Sequence, residues 1–407
     1  MRDDNIIVGL DIGTTKICAV VGEVNEAGIN IIGVGSHPSE GLRKGVVVDI
    51  DAAVESIKRA VEEAELMSGC EISAVYAGIA GGHISGINSH GIIAIKGNEI
   101  TPVDVDRVVE AARAIAIPMD REVIHVLTQE FAIDGQEGIY NPIGMAGIRL
   151  EAKVHIITGA VTSAHNIVKC ANRAGLDVCD IVLESLAAGE AVLTEEEKEI
   201  GTALIDMGGG TTDIAIFGNR NIRHSFVLAL GGQILTNDLA VGIQSSLPDA
   251  ERIKTKFGTC SFSRLLDTDT VEVPGIGGRG PRKMTRQMLS EILQPRVEEI
   301  FQLLYHDIQK ASLEKQIASG VVLTGGSAML DGVIEVAESV FNRPTRLGMP
   351  LNIRGMTDIV NSPLYATGVG LVMYGARNQD ARKFRVRDGK IFNRLKERMN
   401  RWFKDIL

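Results

Sequence analysis

Two segments of similar composition restrict most strongly what this chain can fold into: Asp11-Ile-Gly-Thr-Thr-Lys16 and Asp206-Met-Gly-Gly-Gly-Thr-Thr-Asp213. Each follows a short apolar run, 6–10 and 203–205, of the kind that forms a buried strand. Glycines let backbone N–H groups approach phosphate oxygens, and threonine hydroxyls and a lysine add further donors. One Asp-x-Gly turn would be explained by turn geometry alone. Two of them, about half a chain apart, predict a phosphate clamp made by both halves.

The polar residues of these two segments are candidate ligands for phosphate and for a metal ion. Asp11 and Asp206 could hold Mg²⁺ through its waters, because that ion dehydrates reluctantly. Asp206 is also the candidate for orienting a water, and we assign no other catalytic residue. The candidate phosphate contacts are Gly13, Thr14, Thr15, Lys16, Gly208, Gly209, Gly210, Thr211, Thr212 and Asp213.

A third loop of the same kind lies near the end of the chain. The apolar run that starts at Val321 ends in Gly325-Gly-Ser327, and a helix is predicted to follow from about residue 331 to 340. A glycine pair at such a turn lets a flat adenine or ribose lie against bare backbone. We therefore add Gly325, Gly326 and Ser327 as candidate contacts, together with the pair Gly231 and Gly232 that ends the apolar run 225–230.

Composition limits the class of protein. The 407 residues can form two or more domains, and 45% apolar residues with only 4% aromatics predict a core of aliphatic side chains. Five scattered cysteines predict reduced thiols rather than disulfides or a metal site. The acidic first residues predict no signal peptide, and no apolar run approaches the ~20 residues of a spanning helix. The net charge of −10 argues against nucleic acid as a partner.

The chain ends in a segment of different character. From Arg377 onwards it carries 11 Lys and Arg against 4 Asp and Glu. We predict a charged flexible linker at 377–390 and an amphipathic helix at 391–407. A basic helix with the only Trp on its apolar side is typical of one lying at a membrane surface with anionic lipids, although a docking helix would show the same stripe. Its predicted membrane contacts are Phe392, Leu395, Met399, Trp402, Phe403 and Ile406.

The order of these features resembles that of the actin–Hsp70–sugar-kinase superfamily. Its two phosphate loops resemble 11–16 and 206–213, its adenosine loop resembles 325–327, and its two connecting helices resemble the small-residue segments 183–192 and 366–375. The resemblance implies an α/β fold, with two ribonuclease-H-like domains around a cleft that binds ATP and Mg²⁺.

Within the superfamily, the whole chain is similar to the FtsA family of bacterial division proteins. The most specific similarity lies in 134–151 and in the C-terminal segment. The family implies an inserted α+β subdomain and adenosine contacts from Glu251 and Lys254. It further implies polymerisation on the cytoplasmic face of the cell membrane at the division septum. The implied partners are FtsZ, which would meet the outer subdomain, further copies of the chain and later division proteins.

The family resemblance implies a division of the chain into predicted units. The first actin-like domain is 1–83 with 163–194 and 360–376, and the inserted subdomain is 84–162. The second actin-like domain is 195–226 with 304–359, and its outer subdomain is 227–303.

Other functions remain open from the residues. A phosphotransferase of the sugar-kinase branch would need a catalytic carboxylate at a substrate pocket, and no sugar-binding group of residues is evident beyond Asp206 and Asp213. A chaperone-like ATPase would need a peptide-binding domain. An actin-like pilus-assembly adaptor would lack the amphipathic C-terminal helix. Whether bound ATP is hydrolysed cannot be predicted from these residues.

Overall fold

The computed structural model describes residues 5–261 and 269–378. The strands are β1 (Ile6–Ile12), β2 (Lys16–Asn25), β3 (Gly28–Pro38), β4 (Leu42–Arg43), β5 (Val46–Val47), β6 (Ala74–Ile79), β7 (Ser85–Ala94), β8 (Arg121–Ile133), β9 (Gln136–Ile139), β10 (Arg149–Ala160), β11 (Asp177–Leu183), β12 (Thr202–Met207), β13 (Thr212–Gly218), β14 (Asn221–Leu228), β15 (Thr270–Val273), β16 (Arg282–Thr285), β17 (Val321–Thr324), β18 (Thr345–Leu347) and β19 (Ile353–Gly355).

The helices are α1 (Ile50–Ser68), α2 (Pro102–Arg113), α3 (Val161–Arg173), α4 (Glu184–Val192), α5 (Glu195–Ile200), α6 (Gly232–Gly242), α7 (Leu247–Phe257), α8 (Arg286–Lys310), α9 (Val333–Phe341), α10 (Thr357–Val360) and α11 (Ala366–Arg377). Short 3₁₀ turns cover Gly326–Met329 and Pro363–Tyr365. Among the described residues, no helix is both long and apolar enough to cross a bilayer.

The two large sheets share one topology. The first has the order β11-β6-β1-β2-β3-β19, and the second has the order β14-β13-β12-β17-β18. In each, three consecutive antiparallel strands are extended by two parallel strands beside the first of them. The strands β1 and β12, which carry the two phosphate segments, are therefore equivalent in the two halves. This repeat is the predicted pair of α/β domains.

The inserted unit is a four-stranded sheet of order β7-β10-β8-β9, covered on one face by α2. Thr101 caps α2 by accepting from the backbone of Asp104, and the Asp104 carboxylate accepts from Thr101 in return. Gly91 of β7 permits the close approach, because a Cβ there would lie 2.4 Å from the Val108 carbonyl oxygen. The insert thus has a core of its own, as an inserted α+β subdomain requires.

Two helices rich in small residues cross between the domains. A Cβ at Gly370 of α11 would lie 1.9 Å from the carbonyl oxygen of Ala187 in α4, so the helices meet backbone to backbone. Arg377 ends α11 and pairs with Glu190 of α4. The crossing ties together segments that are more than 180 residues apart in the sequence.

Some predicted bounds need correction. Residues 353–355 were assigned to the second domain, but β19 pairs in parallel with β3 of the first sheet. The bounds at 162/163, 226/227 and 303/304 fall inside α3, β14 and α8, which each continue through them. Arg377 belongs to α11 rather than to the linker. The remainder of the predicted linker and the predicted amphipathic helix at 391–407 lie outside the described residues.

Candidate functional site

A cleft of about 540 Å³ lies between the two domains, where the phosphate segments end their strands. Its wall includes most of the predicted site residues, which come from both domains. They are Asp11, Gly13, Thr14, Thr15, Lys16, Asp206, Gly208, Gly209, Gly210, Thr211, Gly232, Glu251, Lys254, Gly325, Gly326 and Ser327.

The two phosphate loops meet face to face. A Cβ at Gly209 would lie 2.4 Å from the Thr15 side chain, and a Cβ at Gly210 would lie 2.4 Å from the Thr14 hydroxyl. The side chains of the first loop therefore occupy the space that the glycines of the second leave free. Thr14 is also fixed from behind, because its Oγ1 accepts from the Gly45 backbone at 2.9 Å. This arrangement presents backbone N–H groups and hydroxyls from both domains to the same small volume.

Carboxylates converge on the floor of this volume. Burial raises the pKa of Asp206 to about 6, although the hydrogen bond from Thr367 opposes the shift. Burial also raises the pKa of Asp11 to about 6, against the attraction of Lys16. Glu184 and Asp213 have pKa values well above the ordinary range, because burial is reinforced by the neighbouring carboxylates. So many acids sharing one site favour a bound cation.

The donor set fits magnesium held through water. In the described part of the chain, no three acidic, histidine or cysteine side chains stand close enough together to coordinate a metal directly. Mg²⁺ usually keeps several waters and takes oxygen ligands from a substrate phosphate, so Asp11 and Asp206 suffice on the protein side. Asp213 is buried behind them, and its Oδ1 has no hydrogen-bond partner. An ordered metal-bound water is the kind of group that such an orphaned oxygen requires.

Lys16 lies at the edge of the cleft. Its Nζ donates to the Leu364 carbonyl oxygen at 2.7 Å and lies 4.3 Å from the centroid of the Tyr365 ring. A lysine ammonium has three donor hydrogens, so this contact leaves others for a phosphate. Lys16 also connects the first loop to the turn that precedes α11.

The third loop closes the cleft from the second domain. Gly325 has φ +86° and carries no Cβ, which would lie 2.2 Å from Asp206 Oδ1. Ser327 donates from its hydroxyl to the Gly208 carbonyl oxygen at 3.0 Å, and the backbone N–H of Gly232 donates to the same oxygen at 2.9 Å. The second and third loops are thus parts of one hydrogen-bonded assembly.

The far end of the cleft contains the pair that the family resemblance implied. Lys254 Nζ lies 2.8 Å from the Glu251 carboxylate and donates to the Gly232 carbonyl oxygen at 2.9 Å and to Thr236 Oγ1 at 2.8 Å. Thr236 also donates to Glu251. The half-exposed Glu251 carboxylate faces the opening, where it can accept from ribose hydroxyls.

Three predicted residues stand behind the wall rather than on it. The Thr212 hydroxyl donates to the Leu230 carbonyl oxygen at 2.8 Å and supports the loop. Gly231 packs on the backbone of the second loop, where a Cβ would lie 2.7 Å from the Gly208 carbonyl oxygen. Asp213 accepts from the Thr211 hydroxyl at 3.4 Å.

The sequence did not predict seven polar residues of the cleft wall, which are Glu184, Gln233, Thr255, Lys256, Arg286, Asp331 and Thr367. Two of them, Glu184 and Thr367, are on the connecting helices, which were identified by their small residues. A carboxylate at the junction between β11 and α4 was a usable signal for Glu184, because the ends of parallel strands point to one edge of a sheet.

Comparison with known sequences agrees with this geometry. Residues 203–370 match the family described as "Cell division protein FtsA", and residues 81–158 match the "SHS2 domain inserted in FTSA". The chain is 49% identical over 381 residues to the cell division protein FtsA of Pseudomonas aeruginosa, covering 93% of this chain and 91% of that protein. It is 43% identical to FtsA of Escherichia coli K12, covering 92% and 91%.

Solved structures of lower sequence identity share the fold. The PilM–PilN type IV pilus biogenesis complex aligns with a TM-score of 0.64 at 17% identity, over 91% of this chain and 98% of that one. MreB5 of Spiroplasma citri bound to ADP aligns with a TM-score of 0.55 at 15% identity, over 93% and 98%.

The predicted actin-like fold with an inserted subdomain is therefore confirmed. The similarity in sequence to division proteins also separates the chain from the pilus-assembly and sugar-kinase alternatives. The chain belongs to the FtsA family of actin-like cell division proteins.

Proposed function

We propose that this division protein binds Mg²⁺–ATP in the cleft and that the nucleotide joins its two domains. The observation that carries the proposal is the facing of the two phosphate loops, whose glycines and threonines line one volume from both domains. The ADP-bound state of the structural neighbour MreB5 supports it. Asp11 and Asp206 hold the ion through water, and the ion neutralises phosphate charge. The third loop, Glu251 and Lys254 receive the nucleoside.

Calorimetric titration with Mg²⁺–ATP tests the binding site. Substitution Lys16→Ala removes a charged donor to phosphate, and we expect affinity to fall about 10- to 100-fold. Lys58→Ala, an exposed lysine of α1, is the matched control and retains wild-type affinity. Equal affinities in the two variants would contradict the assignment of Lys16 and the phosphate site with it.

We further propose that the protein polymerises on the cytoplasmic face of the cell membrane and attaches FtsZ filaments there, with later division proteins joining them. Membership of the FtsA family and the basic amphipathic pattern of 391–407 support this. A single short helix anchors weakly, so an assembly that presents many such helices binds far more firmly than one copy. Assembly and attachment to the membrane are thus expected to depend on each other.

Co-sedimentation with vesicles containing anionic lipid tests the attachment. The full chain is compared with a chain ending at Arg377 and with Trp402→Glu, each with and without ATP and FtsZ. We expect only the full wild-type chain to carry FtsZ into the pellet. Sedimentation of the truncated chain with vesicles would overturn the membrane proposal. If the full chain sedimented but left added FtsZ in the supernatant, the tether proposal would be overturned.

ATP hydrolysis is a second candidate activity, and Glu184 is the observation that favours it. Glu184 is the first residue of α4, lines the cleft and belongs to the same electrostatic cluster as Asp206. A bound cation would promote its ionised form, which can orient a water toward the terminal phosphate. Glu184→Gln should abolish phosphate release and leave the ATP affinity within about threefold. An unchanged rate would exclude this role.

A further inference from the structure

The inserted subdomain contacts the domain to which it is not joined. Its chain enters from β6 and leaves through α3, so both of its connections are to the first domain. Its sheet nevertheless packs against β14, the edge strand of the second sheet. Any rotation between the two domains must therefore either move the insert with β14 or separate it from β14.

The centre of this contact is a hydrogen-bonded chain of three side chains. His155 of β10 lies with Nδ1 2.7 Å from Asn88 Oδ1 and Nε2 2.8 Å from Ser225 Oγ. Burial lowers the pKa of His155 to about 4, so the ring is neutral. One ring nitrogen then donates while the other accepts, which the amide oxygen of Asn88 and the hydroxyl of Ser225 satisfy together.

Two side-chain amides of the insert also attach it to the backbone of β14. Gln129 of β8 donates to the Ile222 carbonyl oxygen at 3.0 Å, and Asn88 donates to the Arg223 carbonyl oxygen at 3.2 Å. In the opposite direction, Asn221 donates to the Gln129 carbonyl oxygen at 3.0 Å. We call Asn88, Gln129, His155, Asn221 and Ser225 the polar seam. Its bonds are directional, and those from Gln129 to Ile222 and between His155 and Ser225 are buried, so the seam has one geometry in which it is fully satisfied.

A glycine sets the spacing of the polar seam. A Cβ at Gly86 of β7 would lie 2.6 Å from two atoms of the His155 ring and 2.7 Å from Ser225 Oγ. Gly86 does not have a positive φ, so its backbone would accept a side chain. Glycine is required at this position by the close approach of β14, not by its own backbone conformation.

The strand on the other side of the seam leads directly into the cleft. Six residues beyond Ser225 the chain reaches Gly231 and then Gly232, whose N–H donates to the Gly208 carbonyl oxygen. Leu230, in between, accepts from the Thr212 hydroxyl of the second phosphate loop. A short, hydrogen-bonded path thus connects that loop to β14.

We propose that the polar seam is a latch that nucleotide controls: it holds the insert on the second domain when the cleft is closed on nucleotide and releases it when the cleft opens. This inference rests on the proposed binding of ATP in the cleft. Its consequence is that the position of the insert reports whether nucleotide is bound. The insert has exposed apolar side chains at Tyr140, Ile143 and Ile148, which would be carried to a new position on release.

Hydrogen–deuterium exchange of the full-length protein, with and without Mg²⁺–ATP, tests the latch. Peptides covering 206–213 report binding, while peptides covering 85–94 and 221–228 report the two sides of the seam. For the wild type we expect ATP to slow exchange in all three segments, by about tenfold at the seam. Gly86→Val drives a side chain between His155 and Ser225 and should leave the seam exchanging rapidly with or without ATP, while 206–213 is still protected.

Two further variants complete the design. Ser225→Ala removes only one hydroxyl, so it serves as the test variant if Gly86→Val fails to fold. It should reduce the slowing of exchange by ATP at 85–94. Gly97→Ala is the control in the same subdomain, because the nearest atom to a Cβ there is 3.5 Å away, and it should match the wild type. Wild-type protection confined to 206–213 would overturn the latch alone. No protection even at 206–213 would overturn ATP binding and the latch with it.

Discussion

Thr367 donates a hydrogen bond to Asp206 Oδ2 across 2.9 Å, and the two residues come from different domains. Thr367 is on the first turn of α11, which packs in the first domain, and Asp206 is at the end of β12 in the second. The contact is buried on both sides. It holds the carboxylate in place and favours its ionised form, which is the form that a magnesium–water shell requires.

Removal of this hydroxyl should therefore weaken nucleotide binding. With Thr367→Val, we expect the pKa of Asp206 to rise further and the Mg²⁺–ATP affinity near pH 6.5 to fall about tenfold, since a hydrogen bond to a charged group contributes ~1.5–3 kcal/mol. Thr367→Ser retains the hydroxyl and is the control. Calorimetric titration measures both, and equal loss in the two variants would mean that the fit of the whole threonine side chain, rather than its hydrogen bond alone, supports binding.

Asp206 should also reduce the stability of the nucleotide-free protein at neutral pH. Its pKa is about 6 in the folded state against an ordinary 3.8, so the folded state holds the proton more strongly. The free energy of unfolding contributed by this group is therefore highest below pH 4 and is lost as pH rises through 6. Asp206→Asn should gain up to about 3 kcal/mol at pH 7.5 in urea unfolding, and ATP should no longer stabilise the variant.

The exposed Asp177→Asn is the control for this experiment and should leave the unfolding curve unchanged. If Asp206→Asn were less stable than the wild type at pH 7.5, this would show that hydrogen-bonding partners within the nucleotide-free fold stabilise the ionised Asp206 carboxylate.

The strand ends and glycine loops of the site could be predicted because their signals are local. An apolar run followed by Asp-x-Gly fixes a buried strand and a turn within ten residues, whatever the remainder of the chain does. Gly325 illustrates the same point, because its φ of +86° is a property of its own backbone that favours glycine. The repeated occurrence of such loops then predicted the pairing of two halves.

Glu184 and Thr367 could not be placed in the site in the same way. Each reaches the cleft because α4 and α11 cross closely, a packing made possible by Gly370 and Ala187, which are far apart in sequence. The strand β7 carries a weak sequence signal for a different reason. Its outward residues, such as Asn88 and His90, are polar because that face packs on polar groups, so the expected alternation with apolar residues is absent.

Gly325 should tolerate no side chain. A methyl group there meets Asp206 Oδ1, and the alanine backbone must also adopt a φ of +86°. Gly325→Ala should therefore lower the free energy of unfolding by more than about 2 kcal/mol. Gly277→Ala separates the two effects, because φ is +67° there and nothing lies within 4 Å of a Cβ. That control should lose only about 1 kcal/mol. Equal losses in urea unfolding would show that the clash with Asp206 is relieved.

Binding of Mg²⁺–ATP should release protons near pH 6. Burial places the pKa of Asp11 and of Asp206 at about 6, so each is about half protonated at pH 6, and a bound cation drives both to the ionised form. Affinity should consequently fall as pH decreases from 7 to 5, by up to about tenfold per pH unit for each proton displaced. Calorimetry in two buffers of different ionisation enthalpy counts the protons. The nucleotide phosphate titrates in the same range, so the comparison is with Asp11→Asn, which should release about half a proton fewer at pH 6. The same proton count in both proteins would exclude Asp11 from the magnesium site.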